Sequence, residues 1–230
     1  MKSFNRATAA TINTPRFVYD IQARVLKSQD IYQILEVQKI ILDALPAHKK
    51  HFIATRSKDG FLKFIQSQGN ILGLFDNEKL IAYSIVDFPK HISETQFDPS
   101  IQIDDINKSA LFKSTVVVPE YRGQNLQKIL IDMRVECALE AGRDVFITEV
   151  DPQNQASLSS LISQGFYIKH LGVSPADGMT SLYLFKENKV VAPKNLKMVS
   201  LNDLGTHIKL LNNNHVGIAI DHGFITYSQL

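Results

Sequence analysis

The sequence predicts an α/β fold, a mixed and twisted sheet with helices on both faces. Three observations carry this. Strand, helix and strand patterns follow one another over 109–118, 125–141 and 144–150, an order that requires a parallel pair joined by a crossover. Apolar runs flank the tight turn Asn77-Glu78 and the turn-forming cluster at 174–178, so antiparallel hairpins lie on both sides of that unit. Helical periodicity at 28–45 and 57–69 adds amphipathic helices to cover the sheet.

Taken in order, the first helix carries Ile31, Ile34, Leu35, Ile41, Leu42 and Leu45 at helical spacing, with Ser28 or Asp30 as its cap and Pro46 as its end. A second helix over 57–69 stops at Gly69. NILGLFD and KLIAYSIVDF form the first hairpin. Residues 89–108 are polar, contain two prolines and read as a long loop or a partly helical excursion. SALFKSTVVV is a strand closed by Pro119. The helix over 125–141 shows Leu126, Ile129, Leu130, Met133, Cys137 and Ala138 on one face and ends at Gly142. DVFITEV is the next strand, and the short helix after it is capped by Asn154 and ended by Gly165. FYIKHLGV and MTSLYLFK complete the second hairpin. The tail reads as a strand near 196–200, a helix near 201–213 and two short strands around VGIAI and FITYS. The stretch KENKVVAPKN marks a junction, giving a main domain over 1–187 and a small α/β extension over 188–230. The extension is too short for a core of its own and is expected to pack on the main domain.

A chain of 230 residues, 44% hydrophobic and 21% charged, is an ordinary globular composition. Its net charge of +2 gives no argument for a nucleic-acid partner. The single cysteine, Cys137, excludes an internal disulfide and a cysteine-based metal cluster. No apolar run is long enough to span a membrane. The first residues, MKSFNRATAATINTPRF, are basic and lack the apolar core of a secretory signal. Their Ser/Thr/Ala content has a faint transit-peptide character, but a flexible or strand-forming leader is the preferred reading, and a cytoplasmic protein is expected.

The informative stretch is VVVPEYRGQNLQ, residues 116–127. A buried strand stops at a proline, and a short polar turn feeds an amphipathic helix. Such a turn aims several backbone N–H groups at one point, and the helix dipole adds partial positive charge there. Gly123 allows close approach of a ligand, and Asn125 tolerates positive φ better than other side chains do. Arg122 and Lys128 add full positive charge. The pattern is that of an anion cradle, with an ordinary strand-to-helix turn as the bland alternative.

VVVPEYRGQNLQKILI resembles the acetyl-CoA-binding motif of the GNAT superfamily of N-acetyltransferases, a strand ending in V-x-P-x-[YWH] followed by Arg-Gly-x-Gly-x-Gly/Ala and a helix. EVDPQNQASLSSLISQGF is similar to the same family's later motif, a strand followed by an Asn-x-x-Ala/Ser helix ending in Gly-Phe. The resemblance covers about 70–187. Two departures stand out: Asn125 replaces the usual glycine, and Gln127 stands where Gly or Ala is usual.

The resemblance implies a GNAT-type fold with acetyl-CoA as co-substrate and no metal. The pantetheine arm would lie along the backbone of Val116 and Val118, with Val117 or a neighbour donating to the oxyanion. The pyrophosphate would rest on Arg122, Gly123, Gln124, Asn125, Leu126, Gln127 and Lys128, and Asn154 and Ser157 would meet the cofactor arm. An amine would attack the thioester carbonyl. The position where many relatives carry a tyrosine acid is Leu161, and Ser160 beside it is not an equivalent acid. Glu149 is the nearest acid/base, against a solvated glutamate and a water-relayed proton path. A non-catalytic acyl-CoA-binding sensor or scaffold is the competing reading. The acceptor amine is not legible, and neither is the oligomeric state, a homodimer included. Asn154 also reads as a plain helix cap, HKKH at 48–51 as a solvated loop, and the remaining histidines receive no role.

Overall fold

In the computed structural model the described residues are 9–13, 18–66, 69–175, 177–187 and 192–230, with backbone alone over 9–13 and 18–20. Contacts divide the chain into two units. One comprises 1–87 and 113–134, the other 88–112 and 135–230. Each is thus made of two separate stretches of chain, and the expected junction falls partly outside the described residues, at 188–191.

The first unit is an antiparallel meander with helices on it. Strands β1 (Ala9–Asn13), β2 (Val18–Val25), β3 (Asn70–Asp76) and β4 (Lys79–Asp87) neighbour one another in that order, and β5 (Ser109–Val117) follows β4. The leader therefore does form strand over 9–13, paired with β2 from Ala9↔Gln22 to Asn13↔Val18. Helix α1 (Ile31–Ala44) buries Ile31, Ile34, Val37 and Ile41, and α2 (Lys58–Gln66) buries Phe61. These side chains pack with Leu26, Tyr83, Ile85, Val116 and Val118 into one core. Asp30 does not cap α1 with its side chain, contrary to the sequence expectation. Its buried carboxylate instead takes both Nη atoms of Arg24 at 2.7 Å each and the Lys27 N–H at 2.8 Å. An ion pair with a two-pronged partner outcompetes a cap for a buried carboxylate. It holds Asp30 below the usual carboxylate range, the Arg24 hydrogen bond being the main cause.

The second unit has strand order β5-β6-β8-β7-β10-β11-β9. Strand β6 is Val145–Val150, β7 Tyr167–Val173 and β8 Thr180–Lys186. The tail supplies β9 (Lys197–Ser200), α5 (Leu204–Asn212), β10 (His215–Asp221) and β11 (Phe224–Gln229). The crossover pair is parallel as expected, from Ser109↔Val145 to Phe112↔Thr148. Leu111, Ile147, Tyr167, Tyr183, Phe185 and Val216 form this unit's core. The 89–108 stretch is mostly irregular, with short 3-10 turns at Ile92–Glu94 and Ile106–Lys108. Arg143 holds both of its ends, its Nη1 donating to the carbonyls of Pro89, Ile106 and Ser109 at 3.1, 2.6 and 3.0 Å. Helix α3 (Leu126–Glu140) stops at Gly142, whose φ of +75° is the left-handed turn a glycine permits. Its buried face is Leu126, Leu130, Ile131, Arg134, Cys137 and Ala138, so the expected stripe is shifted and contains an arginine.

His207, left without a role by its spacing, is a buried linchpin of the tail. Its Nε2 lies 2.9 Å from the Ser200 carbonyl, which only accepts, so Nε2 carries the proton. Nδ1, 2.8 Å from the Tyr227 hydroxyl, is then the acceptor. Burial lowers the imidazole pKa from its ordinary 6.5. Below that value the unfolded chain takes up a proton that the folded ring refuses, so stability falls as pH drops through about 6.5. Amide exchange in α5 and β11 is expected to speed up between pH 6.5 and 5, after correction for intrinsic rates. His207→Gln can keep both hydrogen bonds without titrating. An unchanged pH response in that variant would remove His207 as the cause.

Candidate functional site

In the first unit, the end of β5, a turn and the start of α3 form one continuous structure. Val116 and Val118 face the core, while Val117 is half-buried. The Val118 N–H donates to the Ile81 carbonyl at 2.9 Å, which ties the strand end to β4. A 3-10 turn over Pro119–Tyr121 follows, closed by Tyr121 N–H to Val118 O at 2.9 Å and Arg122 N–H to Pro119 O at 3.1 Å. The Tyr121 hydroxyl donates to Asp76 at 2.7 Å, pinning the turn to the β3–β4 hairpin. Gly123 then takes φ +76° and Asn125 φ +59°. The asparagine thus adopts the conformation for which a glycine is usual.

This geometry leaves the N–H groups of Gly123, Gln124, Asn125, Leu126 and Gln127 without an acceptor among the described residues. The Asn125 carbonyl accepts from Lys128 and Ile129 at 3.0 and 3.3 Å and starts the helix. No acid stands in the first turn of α3. Arg122 and Lys128 are exposed, and Arg122 Nε reaches back to the Val117 carbonyl at 3.2 Å. Successive free N–H groups at a helix start, two residues with positive φ and two cations are features that favour an anion.

Two residues that sequence reasoning missed shape the strand before this turn. Thr148 Oγ1 donates to the Phe112 carbonyl at 2.8 Å, at the last parallel pair of β5 and β6 in the second unit. One residue later, in the first unit, the Lys113 carbonyl accepts from Nη1 of Arg134 at 3.1 Å, and Arg134 Nε donates to Leu130 O at 3.2 Å. Arg134 is 2% exposed. Burial pushes its guanidinium down to about 9, so it stays protonated at neutral pH. The signal was present: Leu126, Leu130, Arg134 and Ala138 recur every four residues, and an arginine on such a stripe is buried with its partners.

The remaining expected site residues lie in the second unit. Glu149 is half-buried near the end of β6, opposite Tyr183 of β8. Burial raises the Tyr183 phenol above its ordinary value, with the Glu149 charge adding to the effect, so it stays protonated. Asn154 is the cap of α4 (Gln155–Ser163), its Oδ1 accepting from Ser157 N–H at 3.3 Å. Leu161 is buried and offers no acid. Asp98, Ser100 and His170 lie together but form no catalytic triad. Ser100 Oγ and Asp98 Oδ1 approach the same ring nitrogen, Nε2 of His170, at 3.3 and 3.7 Å. The Asp98 carboxylate serves as a clasp, accepting from the Ser100 hydroxyl and N–H and, at 2.7 Å, from Val173 N–H. Among the described residues no group of three or more His, Cys, Asp or Glu could hold a metal ion, and no helix is long and apolar enough to cross a membrane.

The strand order, the crossover and the turn into α3 together define the fold of the GNAT acetyltransferases. Solved structures carry that likeness. An acetyltransferase of the GNAT family from Streptococcus pneumoniae superposes with a TM-score of 0.57 at 13% identity, over 73% of this chain and 99% of its own. PaiA N-acetyltransferase from Thermoplasma acidophilum, in complex with coenzyme A, gives 0.52 at 17% identity over 73% and 98%. A ribosomal-protein-alanine N-acetyltransferase from Brucella melitensis gives 0.52 at 17% over 72% and 98%. At such identities the likeness is one of fold. No family model matches the chain, and no curated protein matches it.

Proposed function

We propose that the protein is an acetyl-CoA-dependent N-acetyltransferase that passes the acetyl group directly to a primary amine of a small molecule or a protein. The observation that carries this reading is the run of acceptor-free N–H groups from Gly123 to Gln127 on a GNAT fold. In this reading Arg122 to Lys128 hold the pyrophosphate, and the backbone of Val116 to Val118 orders the pantetheine arm. Asn154 caps α4 through its Oδ1, and in this reading Asn154 and Ser157 meet the cofactor arm. Residues 1–187 carry the chemistry and 188–230 form an extension.

The acceptor nitrogen attacks the thioester carbonyl, and a C–N bond forms as the carbonyl electrons move onto oxygen. The oxyanion collapses, the C–S bond breaks, and the thiolate leaves with the electron pair. The proton lost by the amine ends on the thiol, through Glu149 or through water. Positioning supplies much of the rate, since well-held reactants gain an effective molarity of about 10⁵ M or more. A proton relay adds roughly 10²–10⁴-fold.

The buried Leu161, where an acid would be expected, favours the second reading, a module that binds acyl-CoA without turnover. Thiol release from acetyl-CoA across amines, amino acids and peptides separates the two. Release above hydrolysis with any amine is expected. Calorimetric CoA binding with no release across a broad panel would favour the sensor, and no CoA binding at millimolar cofactor would end both. Glu149→Gln is expected to lower the rate about 100-fold if Glu149 relays the proton, and an unchanged rate leaves the water path.

A further inference from the structure

The segment between α1 and α2 carries Lys49, Lys50 and Arg56, and Lys58 opens α2, with no acid between Asp43 and Asp59. The fold holds both the backbone and the side chain of Arg56, while exposed Lys58 donates through Nζ to the Tyr32 hydroxyl at 2.9 Å. Buried Gln38 of α1 reads both backbone groups of Arg56. Its Oε1 accepts from Arg56 N–H at 2.9 Å, and its Nε2 donates to Arg56 O at 3.0 Å. The side chain is fixed by Nη1, which donates to Ser114 Oγ of β5 at 3.0 Å and to Ala54 O at 3.2 Å. The half-buried guanidinium loses hydration, which lowers its pKa, and Asp87 acts on it only through space. Asp87 is itself paired with Lys113 at 2.7 Å.

This leaves Nε and Nη2 of Arg56 without an acceptor among the described residues, and the guanidinium without a carboxylate within ion-pair distance. Those two nitrogens form the side-on edge of a guanidinium, whose parallel N–H groups match the two oxygens of a carboxylate. Ser114 precedes Val116 by two residues, about 7 Å along an extended strand. In the acyltransfer reading, on which this inference rests, Val116 is where the pantetheine arm lies. Arg56 therefore stands on the acyl side of that arm.

We infer that the acceptor is a primary amine that also carries a carboxylate, and that the Nε/Nη2 edge of Arg56 holds this carboxylate while the amine faces the thioester. Arg56 is a specificity residue, not a proton carrier.

The test is calorimetry with wild type and Arg56→Gln, with and without CoA. The probes are a panel of N-acetyl amino acids matched with their carboxamides, and phosphoethanolamine as an amine bearing phosphate. At least one carboxylate is expected to bind wild type at least tenfold tighter than its amide. In Arg56→Gln that ratio falls to near one while CoA affinity stays, and Arg56→Lys recovers part of it. If this pattern appears while the thiol assay finds no transfer, the carboxylate site at Arg56 stands and the acceptor assignment falls with the transfer reading. Equal binding of every carboxylate and amide pair overturns the inference, as does a ratio that survives in Arg56→Gln or binding of phosphoethanolamine alone. Acyl transfer to some other amine would then stand untouched.

Discussion

Gly123→Val is expected to weaken coenzyme A binding about 100-fold while leaving the fold intact. The backbone at 123 has φ +76°, and a Cβ there meets no atom within 4 Å. The penalty is therefore conformational, about 1–3 kcal/mol for a side chain held in that region. A β-branched residue escapes it by rotating to negative φ, which turns the N–H groups of 123 and 124 out of the cradle. Two hydrogen bonds to a charged group, at about 1.5 kcal/mol each, come to about 3 kcal/mol, or roughly 100-fold in Kd. Arg122→Ala should cost about threefold, since an exposed cation is screened and the backbone carries the geometry. Calorimetry with CoA, beside thermal melts, measures both. Unchanged CoA affinity in Gly123→Val would mean that the pyrophosphate does not rest on this turn.

Arg134→Ala is expected to destabilise the protein by about 3 kcal/mol, from the cavity left by a large buried side chain and the loss of its hydrogen bonds to two carbonyls. The guanidinium supports the Lys113 carbonyl, and its removal takes this donor away and leaves a cavity. The Leu130 carbonyl is affected less, because it lies inside α3. Arg134→Met fills the volume and avoids burying a charge, so it should recover about half. Urea denaturation of the three proteins gives the values. An Arg134→Ala midpoint equal to wild type would show that the buried arginine does not hold the strand.

Most of the architecture was legible because its signals were local. The crossover followed from an apolar strand, an amphipathic helix and another strand in immediate succession, and Asn77-Glu78 and Gly142 marked turns by their own conformational preferences. Strand β2 is absent from the element order read from sequence, although Tyr19, Ile21, Ala23 and Val25 alternate with polar residues, because that order starts at the first long helical pattern, at 28. The turn into α3 was legible as well, since strand, turn and helix are contiguous and only backbone conformation is at stake. The supports were not. Arg134 to Lys113 O, Thr148 to Phe112 O and Gln38 to Arg56 join residues far apart in the chain, and each donor belongs to a residue type that is usually exposed. Asp30 shows the same limit at short range: its cap signature was right in type, but Arg24 offered a stronger partner.

Because each unit takes two separate stretches of chain, neither is complete until a later stretch has been synthesised. The first closes only when residues up to 134 have left the ribosome. Residues 109–112 are made before then, yet their parallel partners, 145–148, are made later still. At elongation rates of about 5–20 residues per second that interval is a few seconds. Through it Ala110, Leu111 and Phe112 present an apolar strand with no neighbour at 145–148, a surface that chaperones bind and that aggregates when they are scarce. Chains terminated early, within 113–144, should therefore be cleared or precipitate, and a single cut cannot yield either unit as an expressible fragment.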